Sequence, residues 1–263
     1  MTETVRSIVE DRGAAGRVVR VEIDRPPLNF AGPREIAALT EAIRRAAADA
    51  SLRALVLTGA GARAFIGGAD VKIMVGFDGK AAEAYIRSLS GLCAALRDCP
   101  APTIARINGH CIGGGLEVAA ACDLRIASTN GKFGMPEVKL GIPSVIEAAL
   151  LPRLIGWGRT AELVLLGENV TAEAIDRWGF LNVLVAPTEL DRAVARAIDA
   201  LLAAGPEAVR RQKALMRRWE DAPLKDAIEA GVDAFARSYE TEEPRRMMRA
   251  ALDALEARRR RGN

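Results

Sequence analysis

Val19, Val21 and Ile23 alternate with Arg20 and Glu22, so residues 18–23 read as a half-buried strand, and Arg25-Pro26-Pro27 ends it because proline cannot continue a ladder. Pro33 opens a helix through residue 49, along which Ile36, Leu39, Ile43 and Ala47 recur at helical spacing. A short β-rich apolar run over residues 52–58 follows and is closed by Gly59-Ala60-Gly61. The cycle then repeats: helix over 80–99, strand over 103–107, helix over 114–122, strand over 124–128, helices across 145–178 and a last strand at 183–185. Beyond Thr188 only helical patterns remain, over 189–204, 206–219, 224–239 and 244–260.

Strands alternating with helices predict an α/β core over residues 1–200, and the helical remainder, 201–263, forms a second region. That region lacks a core of its own. Its apolar residues, among them Leu215, Met216, Phe235, Met247, Met248 and Leu252, need cover from the α/β body or from another subunit. Half of the 263 residues are apolar, which is enough for one large core plus a smaller appended unit.

Charge narrows the function classes. A net charge of +3 with 4% aromatic residues offers neither a basic field nor a stacking platform, so no nucleic acid partner is expected. The first residues, Met1 to Arg6, carry acid and no apolar leader segment, and no stretch approaches the ~20 apolar residues that span a bilayer. A cytoplasmic protein without membrane partners is expected. Cys93, Cys99, Cys111 and Cys122 have no C-x-x-C spacing and His110 is the only histidine, so buried free thiols are expected rather than a zinc site or disulfides.

Two glycine-rich turns concentrate the chemistry. The first, Phe65-Ile66-Gly67-Gly68-Ala69-Asp70, follows Gly59-Ala60-Gly61-Ala62-Arg63-Ala64, which matches the dinucleotide fingerprint G-x-G-x-x-A. That match lacks its context, because Gly67-Gly68 interrupts the helix a pyrophosphate site needs. The alternatives are a sharp bend that aims the Ala69 N–H into a cleft, or an ordinary loop. The second turn, Gly113-Gly114-Gly115-Leu116-Glu117, opens an apolar helix at a cost in helix stability, which implies a close approach to its backbone. Glu117 shares a face with Gly114. Glu137 follows Pro136 in Phe133-Gly134-Met135-Pro136-Glu137, a segment without periodicity. Each acid also has an ordinary reading, Glu117 as a dipole-complementing acid and Glu137 as a solvated one.

Backbone N–H groups from two glycine turns can hold the charge that develops on one carbonyl oxygen while two carboxylates move protons, a combination suited to thioester chemistry. At these residues the chain resembles the enoyl-CoA hydratase/isomerase, or crotonase, family, from about residue 18 to the C-terminal helices. The resemblance implies a spiral of repeated ββα units with a C-terminal helical region that packs around trimer contacts, hence a homotrimer or a dimer of trimers. It also implies hydration of a 2-enoyl-CoA to a 3-hydroxyacyl-CoA, with Glu117 activating water, Glu137 delivering a proton to the α-carbon, and the Ala69 and Gly114 N–H groups as the oxyanion hole. No cofactor or metal is implied beyond coenzyme A within the substrate.

For substrate binding the resemblance points to Leu28, Gly67, Gly68, Asp70, Lys72 and Pro136, with Lys72 near the adenine and phosphates. Arg245, Arg246, Arg249 and Arg258 to Arg261 either add field for those phosphates or form a solvated helix face. In Gly141-Ile142-Pro143-Ser144-Val145-Ile146-Glu147, Glu147 stands where many hydratases have glycine. It is a possible pocket modifier, unless it faces away as the opening acid of the next helix. Competing functions are a Δ3,Δ2-enoyl-CoA isomerase, which keeps only the Glu137-type acid, a serine protease based on His110, and a non-catalytic CoA-ester-binding protein.

Overall fold

The computed structural model describes residues 4–260. Strand β1 (Val5–Asp11) pairs antiparallel with β2 (Arg17–Ile23), helix α1 (Pro33–Ala47) follows, and β3 (Leu52–Gly59) lies parallel to β2. The chain then leaves that sheet for a second one, entering it at β4 (Ala64–Ile66), and passes through the single turn α2 (Val71–Met74) into α3 (Gly79–Asp98). The same step recurs with β5 (Thr103–Ile107), β6 (His110–Ile112) and α4 (Gly114–Ala121), and again with β7 (Leu124–Ser128) and β8 (Lys132–Gly134). Two 3-10 turns, Pro136–Leu140 and Ile146–Leu150, then lead to α5 (Leu151–Leu166), β9 (Val170–Thr171), α6 (Ala172–Arg177) and β10 (Val183–Val185).

Strand order explains the winding: β1-β2-β3-β5-β7-β10 make the six-stranded sheet and β4-β6-β8-β9 the four-stranded one. Each repeat puts one strand in each sheet before its helix, a ββα spiral. All of β3 except Arg53 is buried, as a central parallel strand covered on both faces requires. By contrast only Val5 is buried in β1, and Ile8 and Val9 are exposed. That edge strand shows no buried alternation, so the apolar pattern does not predict it. The short strands of the second sheet escape the pattern for a related reason, since three residues hold too few positions to show a period. The helical span expected over 145–178 is broken at Gly167, with φ of 62°, and by β9.

Helix α4 is buried at all eight positions, which suits its uniformly small and apolar sequence. It needs Gly115 because any Cβ there would strike the Ile66 carbonyl of β4. The four cysteines are free and buried.

Contacts among the described residues separate the chain after Asp199, within α7 (Leu190–Ala203). The second unit contains α8 (Pro206–Asp221), α9 (Leu224–Ser238) and α10 (Glu243–Arg260). In it the Trp219 indole N–H donates to the Ala227 carbonyl at 3.1 Å, and the Glu243 carboxylate accepts from the Glu207 and Ala208 N–H groups at 3.2 and 2.9 Å, capping α8. Phe235, Met248 and Leu252 are exposed, and so are Arg258, Arg259 and Arg260 at the end of α10. Arg261 lies outside the described residues.

Candidate active site

The first glycine turn leaves β4 and is stitched to the loop that follows β2. Gly67 N–H donates to the Leu28 carbonyl at 2.8 Å, Ala31 N–H donates to the Gly68 carbonyl at 2.9 Å, and Ala31 bridges Ala69. A Cβ on Gly67 would meet Leu28 Cβ and carbonyl oxygen at 2.8 Å, and Gly68 has φ of 106°, so both glycines are required by the approach and the bend. Arg25 donates to Asp70 across the two segments, and Asp70 also accepts the Lys72 N–H at 3.0 Å to cap α2. Asn29, itself at φ of 55°, donates to the Ala64 carbonyl at 2.9 Å. The residues of the dinucleotide-like match run into β4, so no helix N-terminus stands there to meet a pyrophosphate.

The second turn brings the backbone under both acids. Gly113 has φ of 55°, and a Cβ on it would strike Glu137 Oε1. On the next residue, a Cβ added to Gly114 would lie 3.9 Å from Glu117 Oε2 and 2.8 Å from Leu89 Cδ2. Adjacent glycines thus sit beneath adjacent carboxylates. Among the described residues neither the Ala69 N–H nor the Gly114 N–H has an acceptor. Gly114 opens α4, where N–H groups have no partner inside the helix.

These groups line one cleft of about 390 Å³, whose walls include Met74, Phe77, Ile86, Leu89, Ile142 and Val145. Gly67, Gly68, Ala69, Gly114, Glu117, Pro136 and Glu137 all line it, and among the described residues no lysine or arginine does. Burial pushes the Glu117 carboxyl up to about 8, helped by the negative charges of Glu137 and Glu147, while the Ala148 N–H that it accepts at 3.2 Å opposes the rise. Burial also raises Glu137, against the Ser144 hydroxyl that donates to it at 3.0 Å. Two carboxylates in an apolar cleft titrate as a pair, and between their two ionisations they hold one proton. One member is then a base and the other an acid, which is what addition across a polarised double bond needs.

Four of the expected binding residues lie outside the lining. Leu28 buttresses Gly67, Asp70 pairs with Arg25, Lys72 is exposed on α2, and Glu147 turns toward Ser90 and Cys93 of α3. His110 accepts the Lys132 N–H at 3.1 Å within the small sheet and does not line the cleft, which leaves a histidine-based nucleophile mechanism without its base there. Pattern reading missed Ser144, the Ala148 amide and Tyr85, whose hydroxyl donates to the Ala31 carbonyl at 2.8 Å behind the first turn. It also missed Asn108, which donates to the Gly59, Gly61 and Ala64 carbonyls at 2.9, 2.7 and 3.2 Å. Only the Asn108-Gly109 pair carried a sequence signal, that of a turn between strands.

The ββα spiral thus brings two carboxylates and two glycine turns to one apolar cleft. The chain belongs to the enoyl-CoA hydratase/isomerase family, whose sequence profile matches residues 13–259. It is 31% identical over 240 residues to the short-chain-enoyl-CoA hydratase of Clostridium acetobutylicum, covering 90% of this chain and 92% of that protein. It is 35% identical over 216 residues to the (E)-benzylidenesuccinyl-CoA hydratase of Thauera aromatica, covering 81% of this chain and 84% of that one. The crystal structure of an enoyl-CoA hydratase from Bacillus anthracis superposes with a TM-score of 0.89 at 26% identity, over 96% of this chain and 97% of that one.

Proposed function

We propose that the protein hydrates a 2-enoyl-CoA to a 3-hydroxyacyl-CoA. The observation that carries this reading is the buried Glu117 and half-buried Glu137 carboxylates beside two N–H groups without acceptors in a single cleft. With the pair's one proton on Glu137, Glu117 removes a proton from water as its oxygen bonds to the β-carbon, the double-bond electrons move toward the thioester carbonyl, and the Ala69 and Gly114 N–H groups hold the resulting enolate oxygen. Glu137 then gives its proton to the α-carbon. No metal or nicotinamide enters these steps.

The rival within the family is an isomerase that uses a single acid. Keeping Glu117 buried with its carboxyl raised to about 8 is costly, and a protein that did not use it would gain stability by losing it. The apolar walls and the absence of lysine and arginine from the lining among the described residues favour a neutral acyl group over one bearing a carboxylate. Lys72, exposed beside the cleft residue Val71, is assigned to the CoA phosphates, with Leu28 and Asp70 shaping the adjoining segment. A homotrimer or dimer of trimers would cover exposed apolar residues such as Phe235 and Leu252. A cytoplasmic site of action fits the four free thiols.

The test is loss of enoyl-thioester absorbance with crotonyl-CoA and longer 2-enoyl-CoAs, run in parallel with Glu117→Gln and Glu137→Gln. Turnover lost in both variants is expected. Absence of turnover on every 2-enoyl-CoA by the parent protein, with CoA-ester binding intact, would overturn the hydratase reading.

A further inference from the structure

The 3-10 turn Ile146–Leu150 carries two costly features side by side. Ile146 has φ of 40°, a left-handed conformation that a β-branched residue adopts only when its surroundings impose it. Next to it, Glu147 puts its Oε2 out of solvent with no hydrogen-bond partner among the described residues, while the Ser90 hydroxyl and Cys93 thiol of α3 face the carboxylate and Arg97 acts on it from further along that helix. One residue further on, Ala148 gives its N–H to Glu117 at 3.2 Å and is buried. Neither cost serves the turn itself, because the Ala148 N–H and the Val145 carbonyl, 2.9 Å apart, would close a turn with any residue at position 147.

We propose that Glu147 is a positioning residue for Glu117: wedged against α3, it holds the turn in the shape that delivers the Ala148 N–H to the Glu117 carboxylate. It touches neither water nor acyl group in this scheme, since it does not line the cleft. Its negative charge acts in the same direction as burial on Glu117, whose other charged or titratable neighbours are Glu137 from the Pro136–Leu140 turn and Tyr85 and Cys93 from α3. The role of Glu147 in catalysis rests on the hydratase reading, whereas its coupling to Glu117 does not.

Two variants and two readouts separate these. Glu147→Gln keeps the shape and removes the charge, and Glu147→Ala removes the wedge. On 2-enoyl-CoA, Glu147→Gln is expected to move the alkaline limb of the kcat profile to lower pH by about half a unit, because the Glu117–Glu137 pair gives up its last proton more easily. Glu147→Ala is expected to lower kcat by about tenfold or more with KM nearly unchanged. Parental kcat and pH profile in both variants would overturn the proposal. The second readout needs no turnover: the rise in urea midpoint that Glu117→Gln produces at pH 8 is expected to be smaller in a Glu147→Gln background. An equal rise in both backgrounds would overturn the coupling, even for a protein that hydrates nothing.

Discussion

Replacing Glu117 by glutamine is expected to make the protein more stable while removing its activity, and the gain has a calculable pH dependence. Burial, with the charges of Glu137 and Glu147, raises the folded-state carboxyl from an ordinary 4.5 to about 8. Below 4.5 both the folded and the unfolded chain hold the proton, so the group costs nothing. As the pH rises from 4.5 to about 8, the unfolded chain ionises first and stability falls by up to ~1.4 kcal/mol per pH unit, reaching about 3 kcal/mol at pH 7 and about 4 kcal/mol at pH 8. Above that both states are ionised and the loss levels off. Glutamine has no charge to desolvate and keeps an oxygen for the Ala148 N–H, so Glu117→Gln recovers most of this cost. The assay is urea unfolding of parent and variant at equal protein concentration at pH 5, 7 and 8. The variant's advantage must widen across the series. An advantage independent of pH, or a variant less stable than the parent at pH 8, would refute the assignment of a Glu117 carboxyl raised by burial.

Glu137→Gln is expected to cut kcat by about 10²- to 10⁴-fold with little change in binding of a saturated acyl-CoA, measured by absorbance and by calorimetry. Gly113→Ala strains a residue at φ of 55° and pushes its Cβ into Glu137 Oε1, so kcat on a 2-enoyl-CoA should fall by about 10²-fold even in protein that remains folded by circular dichroism. Arg25→Met leaves Asp70 and the buried Glu35 without their cation and removes the side-chain link between the loop after β2 and the first glycine turn. A loss of about 3 kcal/mol in unfolding free energy, read by urea titration, is expected together with reduced kcat/KM.

The first glycine turn shows how far the residues alone carry the reading. Gly67-Gly68 announced a bend, yet the contact that makes glycine compulsory there is with Leu28, nearly forty positions upstream, through an approach that no local pattern encodes. Glu137 is the mirror case. Its loop-like context predicted an irregular backbone, and a 3-10 turn is what forms, but its place over Gly113 depends on β6 and β8 lying side by side in the small sheet. Asp70 and Leu28, which the resemblance implies in substrate binding, also hold Arg25 and the Gly67 N–H, because the loop after β2 lies against the turn after β4.

Legible in the residues alone are the elements whose apolar period is long enough to be read, the α/β alternation, the helical C-terminal region, and the two acids and two glycine turns as the places where chemistry gathers. Those features are local: periodicity, proline and glycine punctuation and charge act over a few residues. Tertiary structure alone decided the edge strand β1 and the second sheet, the burial that lifts Glu117 to about 8, and the turn of Glu147 toward α3 rather than into the cleft. Desolvation and charge coupling depend on which distant segments exclude water from a side chain, and that is fixed only when the spiral closes around it.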